Sequence, residues 1–197
     1  RDTQYNMGNM FVMDEEERMG APLPKSDWTF SLIEPIFDMI RKAVGGDAEG
    51  YLLYGHSAGS QFVHRFLFFV PEARVLKAVC ANAGWYTFPD AGVPFPYGLK
   101  GTGAGPERLK TVFAKNVTVL LGDADVDPNA SALRKTPEAE AQGPYRLARG
   151  RSFYASCEKA AGALGFDFRW RLSFAPGIAH SNSGMAPFAE KILFERP

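Results

Sequence analysis

Four short apolar segments alternate with helix-forming segments along most of the chain, and this alternation restricts the folds open to it. Glycine, proline or polar turn residues bound the apolar segments, which is typical of buried strands. They lie at residues 51–54, 75–81, 117–121 and 168–174. Chains that alternate strand and helix form parallel sheets with helices on both faces. The sequence therefore predicts an α/β fold built around a mostly parallel sheet.

The segments between these strands carry helix and loop signals. We predict helices over residues 60–70, 107–113, 152–164 and 186–195, and an earlier one that ends at Gly45. Pro35 lies near the start of that earlier helix, where it favours a late start or a kink. Residues 85–106 and 123–150 are broken by proline and predict long loops. Residues 1–25 show no convincing strand, and we expect an irregular loop or a short helix there.

Length and charge exclude several classes of function. A chain of 197 residues predicts one domain over residues 1–197. The 22 basic and 22 acidic side chains balance, so the whole chain lacks the electrostatic footprint of a nucleic-acid or anionic-membrane binder. No apolar run approaches the roughly 18 residues of a membrane span. Cys80 and Cys157 do not make a disulfide scaffold. The composition permits a homodimer without requiring one, and it leaves the compartment, cytoplasmic or secreted, open.

The loop after the first predicted strand holds Gly55-His56-Ser57-Ala58-Gly59. This G-x-S-x-G pattern follows a strand and precedes a helix, which is the context of a nucleophile elbow. Small residues two positions before and after Ser57 let the strand and the helix approach each other. The Ser57 hydroxyl is then exposed at the edge of the sheet, and the Ala58 amide points to where an oxyanion would form. We predict Ser57 as nucleophile and Ala58 as oxyanion donor.

A serine nucleophile needs a base, and the chain has three histidines. The side chain of His56 should point away from the nucleophile, so we expect it to pack beside the elbow. His64 lies seven residues along the following helix, roughly 10 Å down its axis, and is expected to be a satisfied, partly buried histidine. His180 follows the last predicted strand and is free to reach Ser57 from the same edge of the sheet. We therefore predict His180 as the general base.

A carboxylate must orient the imidazole, and the loop after the third predicted strand offers Asp123, Asp125 and Asp127. Asp125 is the first choice, because it stands where the loop has turned over the sheet. Asp127 is the runner-up and Asp123 is third, with turn formation and capping as their alternative roles. The three aspartates also resemble the start of a calcium loop, but Pro128 and Arg134 stand where that loop needs glycine and glutamate. Histidines and cysteines at zinc spacing are absent too, so we predict no metal and no cofactor.

In this order, Ser57, Asp125 and His180 resemble the nucleophile, acid and base of the α/β-hydrolase fold. The elbow and residues 176–180 are similar to motifs of a bacterial esterase branch that includes polyhydroxyalkanoate-depolymerase-like and feruloyl-esterase-like proteins. The resemblance covers about residues 26–197. It implies a serine hydrolase that cleaves small-molecule or oligomeric carboxylic esters through an acyl-enzyme. A peptidase or acyltransferase with the same three residues, or a catalytically silent binding module, is the alternative.

The N-terminal part departs from this family. The family places several strands and a second oxyanion donor before the nucleophile strand. Only 49 residues precede Gly50, and residues 1–25 offer no candidate for that donor. We therefore expect N-terminal sequence to be missing, with residues 26–197 as the C-terminal catalytic part of a sheet that lacks some N-terminal strands. The alternative is a minimal variant of the fold.

Aromatic residues after the second predicted strand are the candidate wall of a substrate pocket. We predict Trp85 and Tyr86 as substrate-binding residues, because an aromatic loop suits an acyl or aryl ester. The alternative is that these side chains cover the core under a long loop. Asn182 and Met185, which follow His180 closely, are further candidates.

Overall fold

Several small elements precede the main sheet. The structure is a computed structural model, and it describes residues 2–195. In chain order these elements are α1 (Asp2–Asn6), β1 (Phe11–Met13), β2 (Met19–Pro22), two 3₁₀ turns (Lys25–Asp27 and Thr29–Leu32) and α2 (Ile33–Ala43). Strands β1 and β2 form an antiparallel pair. The expectation of a strandless N-terminal segment was therefore wrong, because strands of three and four residues are too short to show a periodicity.

Helix α2 begins and ends where its sequence dictates. Pro35 lies in its first turn, where a proline removes no helical hydrogen bond, so the predicted late start is confirmed. At the other end Gly45 adopts a left-handed φ of 65°, and the Gly46 N–H donates to the Arg41 carbonyl at 2.9 Å. This arrangement is a common helix terminus that favours glycine.

A four-stranded parallel sheet forms the centre of the fold. Its strands are β3 (Tyr51–His56), β4 (Val75–Ala81), β5 (Val117–Gly122) and β6 (Arg171–Ala175), and they lie in that order. The prediction of an α/β fold with a parallel sheet is confirmed. Register pairs His56 with Ala81 and Gly122 with Ala175, so the carboxyl ends of all four strands meet along one edge.

Helices cover both faces of this sheet. They are α3 (Ala58–Phe69), α4 (Pro106–Phe113), α5 (Pro137–Ala141), α6 (Arg146–Leu164) and α7 (Asn182–Phe194). An aromatic-rich core lies on one face, where Phe66 and Phe153 pack with Cys80 of β4. On the opposite face Met185 of α7 packs against Val79. Adjacent residues of β4 thus point to opposite cores, as the alternation of side chains along a strand requires.

Helix α6 begins six residues earlier than the sequence predicted. Its first residue is Arg146 rather than Ser152, and Gly150 lies inside it. A Cβ atom at Gly150 would lie 2.4 Å from Leu121 Cδ2, so the glycine allows the helix to pack closely on β5. The short helix α5, capped by the Thr136 side chain, was also missed. Proline and glycine in residues 123–150 suggested a loop, but here they serve as a helix start and a close contact.

Cys80 and Cys157 are both buried and unpaired. None of the helices within residues 2–195 is long and apolar enough to cross a membrane.

Candidate active site

The turn between β3 and α3 places Ser57 at the edge of the sheet. Ser57 adopts φ 56° and ψ −117°, a conformation that is strained for a residue with a side chain. Its N–H donates to the Ala81 carbonyl at 2.9 Å, and its carbonyl accepts from the Gln61 N–H at 3.1 Å. A Cβ atom at Gly55 would lie 2.2 Å from the carbonyl oxygen of Gly59. Glycine at position 55 therefore permits the sharp reversal that leaves Ser57 half-buried at the edge of the sheet.

Three side chains from three separate loops form a hydrogen-bonded chain at this edge. His180 Nε2 lies 3.0 Å from Ser57 Oγ, and His180 Nδ1 lies 2.8 Å from Asp125 Oδ2. The carboxylate favours the tautomer with a proton on Nδ1, which leaves Nε2 free to accept from the serine hydroxyl. The Asp125 side chain is 4% exposed and that of His180 is 26% exposed. The arrangement can take a proton from Ser57 while keeping the carboxylate out of water.

Asn82, which the sequence analysis did not single out, ties two of these loops together. It follows β4 directly and is buried, with a left-handed φ of 46°. Its Oδ1 accepts from the Gly122 N–H at 2.8 Å, and its Nδ2 donates to the Ala179 carbonyl at 3.3 Å. Asn82 therefore fixes the residue before His180 relative to the end of β5. The position of Asn82 directly after a predicted strand was the sequence signal that could have identified it.

The other two aspartates of the same loop have different partners. Asp123 Oδ1 accepts from the Gly177 N–H at 2.6 Å, which ties this loop to the one that carries His180. Asp127 is exposed, and its Oδ1 accepts from the Asn129 N–H at 2.8 Å within a turn. The structure brings Asp125, and neither of these two, to His180.

Two residues at the start of α6 contact Asp125. The Leu147 N–H donates to the Asp125 backbone carbonyl at 3.1 Å. The Arg146 guanidinium lies 3.6 Å from Asp125 Oδ1, and both side chains are nearly inaccessible. No sequence signal identified Arg146, because the segment was interpreted as a loop.

His56 packs against His180, with 4.7 Å between the ring centroids. Packing beside the elbow was the expectation, and it is confirmed. The ring does not point away from the site as expected, because it lies against His180. Burial, together with the nearby charge of His180, lowers the pKa of His56 to about 4. His56 is therefore neutral near neutral pH and adds no second positive charge beside His180.

His64 is a structural histidine, as expected. Its Nδ1–H donates to the Ser60 carbonyl at 2.8 Å, and its Nε2 accepts from the Thr87 N–H at 3.1 Å. Burial, with a further contribution from Arg65, lowers the pKa of His64 well below the ordinary value of 6.5. Both ring nitrogens are satisfied, so His64 is not available to Ser57.

Ala58 is the first residue of α3, and the first helical hydrogen bond is made by the Gln61 N–H. The amide groups at the start of a helix have no intrahelical acceptor and carry the positive end of the helix dipole. The Ala58 N–H therefore suits a negative oxygen next to Ser57.

Trp85 and Tyr86 do not form a pocket wall, contrary to our prediction. They are 3% and 0% exposed, respectively. Tyr86 stacks on Phe153 with 4.4 Å between ring centroids. The guanidinium carbons of Arg65 and Arg134 lie 4.1 Å and 4.7 Å from the centroid of the Trp85 ring. The structure matches the alternative, that these aromatics cover the core under a long loop. The loop folds inward, and both side chains join the aromatic-rich core on one face of the sheet.

Asn182 is exposed near the site, whereas Met185 is not. Asn182 Oδ1 accepts from the Tyr54 hydroxyl at 2.9 Å, at the start of α7. Met185 is fully buried in the core beneath α7, so the suggestion that it lines the site was wrong. Asn182 thus keeps its place as a candidate contact for substrate.

Within residues 2–195 no group of three or more histidine, cysteine, aspartate or glutamate side chains could hold a metal ion.

Comparison with solved structures identifies two proteins of the same architecture. Poly(aspartic acid) hydrolase-1 from Sphingomonas sp. KT-1 is 49% identical, with a TM-score of 0.93 over 99% of this chain and 72% of that chain. The poly(3-hydroxybutyrate) depolymerase LpqC from Bordetella parapertussis is 35% identical, with a TM-score of 0.88 over 100% of this chain and 67% of that chain. No protein-family model matches the chain, and no curated protein matches it. From this similarity to named hydrolases, the chain belongs to the α/β-hydrolase family of serine esterases and is a hydrolase of the esterase type.

Proposed function

We propose that this hydrolase cleaves carboxylic esters through Ser57, His180 and Asp125, with an acyl-enzyme intermediate. The observation that carries the proposal is the pair of hydrogen bonds, 3.0 Å and 2.8 Å, that joins these side chains at the strained turn. A nucleophile, a base and an orienting group within this reach form the arrangement of a serine hydrolase.

In the first half-reaction, Ser57 Oγ attacks the ester carbonyl carbon while its proton passes to His180 Nε2. The negative oxygen that develops lies by the Ala58 N–H, where a preorganised donor is worth roughly 10²–10³ in turnover. Collapse of the tetrahedral intermediate breaks the carbon–oxygen bond to the leaving group. The leaving alcohol takes the proton from His180, and the acyl group stays on Ser57.

In the second half-reaction, water replaces the alcohol. His180 takes a proton from the water as its oxygen attacks the acyl carbon, and it returns that proton to Ser57 Oγ as the acid leaves. Asp125 keeps the Nδ1–H of His180 oriented in both halves and stabilises the imidazolium that forms twice per cycle.

For the substrate we propose an oligomeric ester. The relative from Bordetella parapertussis is named for a polyester, poly(3-hydroxybutyrate). The second candidate is an amide of an aspartate oligomer, because the relative with 49% identity is named a poly(aspartic acid) hydrolase. Both substrates are repeating acyl chains, and the same three residues serve either leaving group.

Labelling with a fluorophosphonate tests the catalytic assignment. We expect one adduct per chain by intact mass, located on Ser57 by peptide mapping and abolished in Ser57→Ala. A folded chain that takes up no label, or takes it up equally in the alanine variant, would sink the assignment.

A substrate panel tests the acyl class. Oligomers of 3-hydroxybutyrate, aspartate oligomers and a p-nitrophenyl ester would be compared by product analysis, with Ser57→Ala as the blank. Ester cleavage with a kcat/KM above that for the amide supports an esterase. A reversed order would replace the ester with the aspartate amide while leaving the roles of the three residues intact.

A further inference from the structure

Arg146 is a buried cation next to the hydrogen-bonded chain. It is 2% exposed as a residue, and its guanidinium Nη1 lies 3.6 Å from Asp125 Oδ1. At this distance the contact is an ion pair rather than a close hydrogen bond. Arg146 thus faces the carboxylate oxygen that His180 does not use.

A second buried arginine on the same helix shows what a purely structural role looks like. Arg149 is fully buried, and its Nε, Nη1 and Nη2 donate to the carbonyls of Gly143, Gly84 and Arg134 at 2.7–2.9 Å. These bonds fasten three loop segments to α6. Arg149 is therefore satisfied by backbone oxygens and forms no ion pair with Asp125.

Arg146 is equally buried, but its guanidinium is not satisfied in this way. Its Nε is buried and has no hydrogen-bond partner among the residues that the structure describes. It is the first residue of α6, where the helix dipole disfavours a positive charge. A buried charge is costly unless it is paired, and Asp125 is the counter-charge of the Arg146 guanidinium. The burial of Arg146 is therefore best explained by what it does to Asp125.

We propose that Arg146 is a positioning residue for the hydrolytic reaction. It holds the Asp125 carboxylate so that Oδ2 faces His180, and its positive charge acts on the site from the far side of that carboxylate. This inference rests on the roles proposed above for Ser57, His180 and Asp125.

The charges around His180 determine how removal of Arg146 should change the pH dependence of activity. Asp125 attracts the imidazolium form of His180, and Arg146, on the far side of that carboxylate, opposes it. His56 stacks on the ring and is neutral, because its pKa is lowered to about 4, and Ser57 is uncharged. Removing the guanidinium takes away this opposing charge, so activity should require a higher pH.

The experiment measures kcat and KM against pH for Arg146→Met and Arg146→Lys, with p-nitrophenyl ester as substrate. In Arg146→Met we expect the acid limb of kcat/KM to move up by roughly one pH unit. We also expect its plateau kcat to fall roughly 10- to 100-fold, since small misplacements of a catalytic group have effects of that size. Arg146→Lys keeps the charge, so its acid limb should stay near that of the wild type and its kcat should be partly restored.

Arg149→Met is the matched control, one turn along the same helix and equally buried. It should lower the melting temperature without moving the acid limb, because it removes bonds to carbonyls only. An acid limb that moves equally in Arg149→Met, or that stays fixed in folded Arg146→Met, would overturn the inference. If Arg146→Met does not fold, Arg146→Gln replaces it in the same comparison.

Fluorophosphonate labelling of the same variants separates the two proposals. A wild-type chain that is not labelled on Ser57 overturns the catalytic assignment, and with it the role of Arg146. A labelled wild-type chain whose pH profile is unchanged by Arg146→Met and Arg146→Gln overturns the role of Arg146 alone.

Discussion

Asp125→Asn is the substitution that most directly tests how the site works. Asparagine has the same shape but no charge, and its amide cannot hold His180 in the tautomer that donates to a carboxylate. The 2.8 Å bond from His180 Nδ1 is therefore lost or reversed. The substitution also leaves the buried Arg146 without the counter-charge that now lies 3.6 Å away.

Two magnitudes follow from these contacts. Turnover should fall by roughly 10⁴-fold, the effect of the equivalent change in serine proteases, where the wrong tautomer is stabilised. The free energy of unfolding should fall by about 3–5 kcal/mol, since removal of one partner leaves a buried charge uncompensated. Both effects should occur in the same variant, which a purely structural aspartate would not produce.

The assay compares kcat on a p-nitrophenyl ester and urea unfolding for Asp125→Asn, with Asp127→Asn and Asp123→Asn as matched controls. Asp127 is exposed, so its variant should change unfolding by less than about 0.5 kcal/mol. An amide oxygen at position 123 can still accept from the Gly177 N–H, so that variant should keep most activity. If Asp125→Asn keeps more than a tenth of the turnover while a control variant loses it, Asp125 is not the group that orients His180.

Three further outcomes are expected. Gly55→Ala should destabilise the elbow by roughly 1–3 kcal/mol and abolish fluorophosphonate labelling, because its Cβ atom would lie 2.2 Å from a carbonyl oxygen. Gly59→Ala is the control: its Cβ atom would have its nearest contact at 3.5 Å, so this variant should keep activity. Trp85→Ala should lower the free energy of unfolding by about 3–5 kcal/mol in a denaturant titration, because a buried aromatic is lost. Acid should destabilise the fold. As pH falls below about 6.5, the unfolded chain binds protons at His56 and His64 that the native chain does not. Urea unfolding between pH 7 and pH 5 should therefore show a decline in the free energy of unfolding.

Much of the fold was predictable because it depends on local patterns. The β-branched, apolar run at 75–81 matched β4 at both ends, and the alternation of strand and helix indicated the parallel sheet. The errors occurred where local signals compete. The hairpin over residues 11–22 is too short for a period, and Gly150 lies inside a helix because β5 approaches closely at that point.

Local sequence is enough to specify the strand-to-helix turn at Ser57 and the chain order of the residues that meet there. A strained turn needs glycine at position 55, and the parallel sheet brings the ends of its strands to one edge, so these features follow from local chemistry and topology. Tertiary packing, in contrast, selects the aspartate that reaches His180, buries Trp85 and Tyr86, and places Arg146 next to the carboxylate. These outcomes depend on how loops and α6 pack across long sequence separations, and no local pattern encodes a contact between residues that become neighbours only on folding.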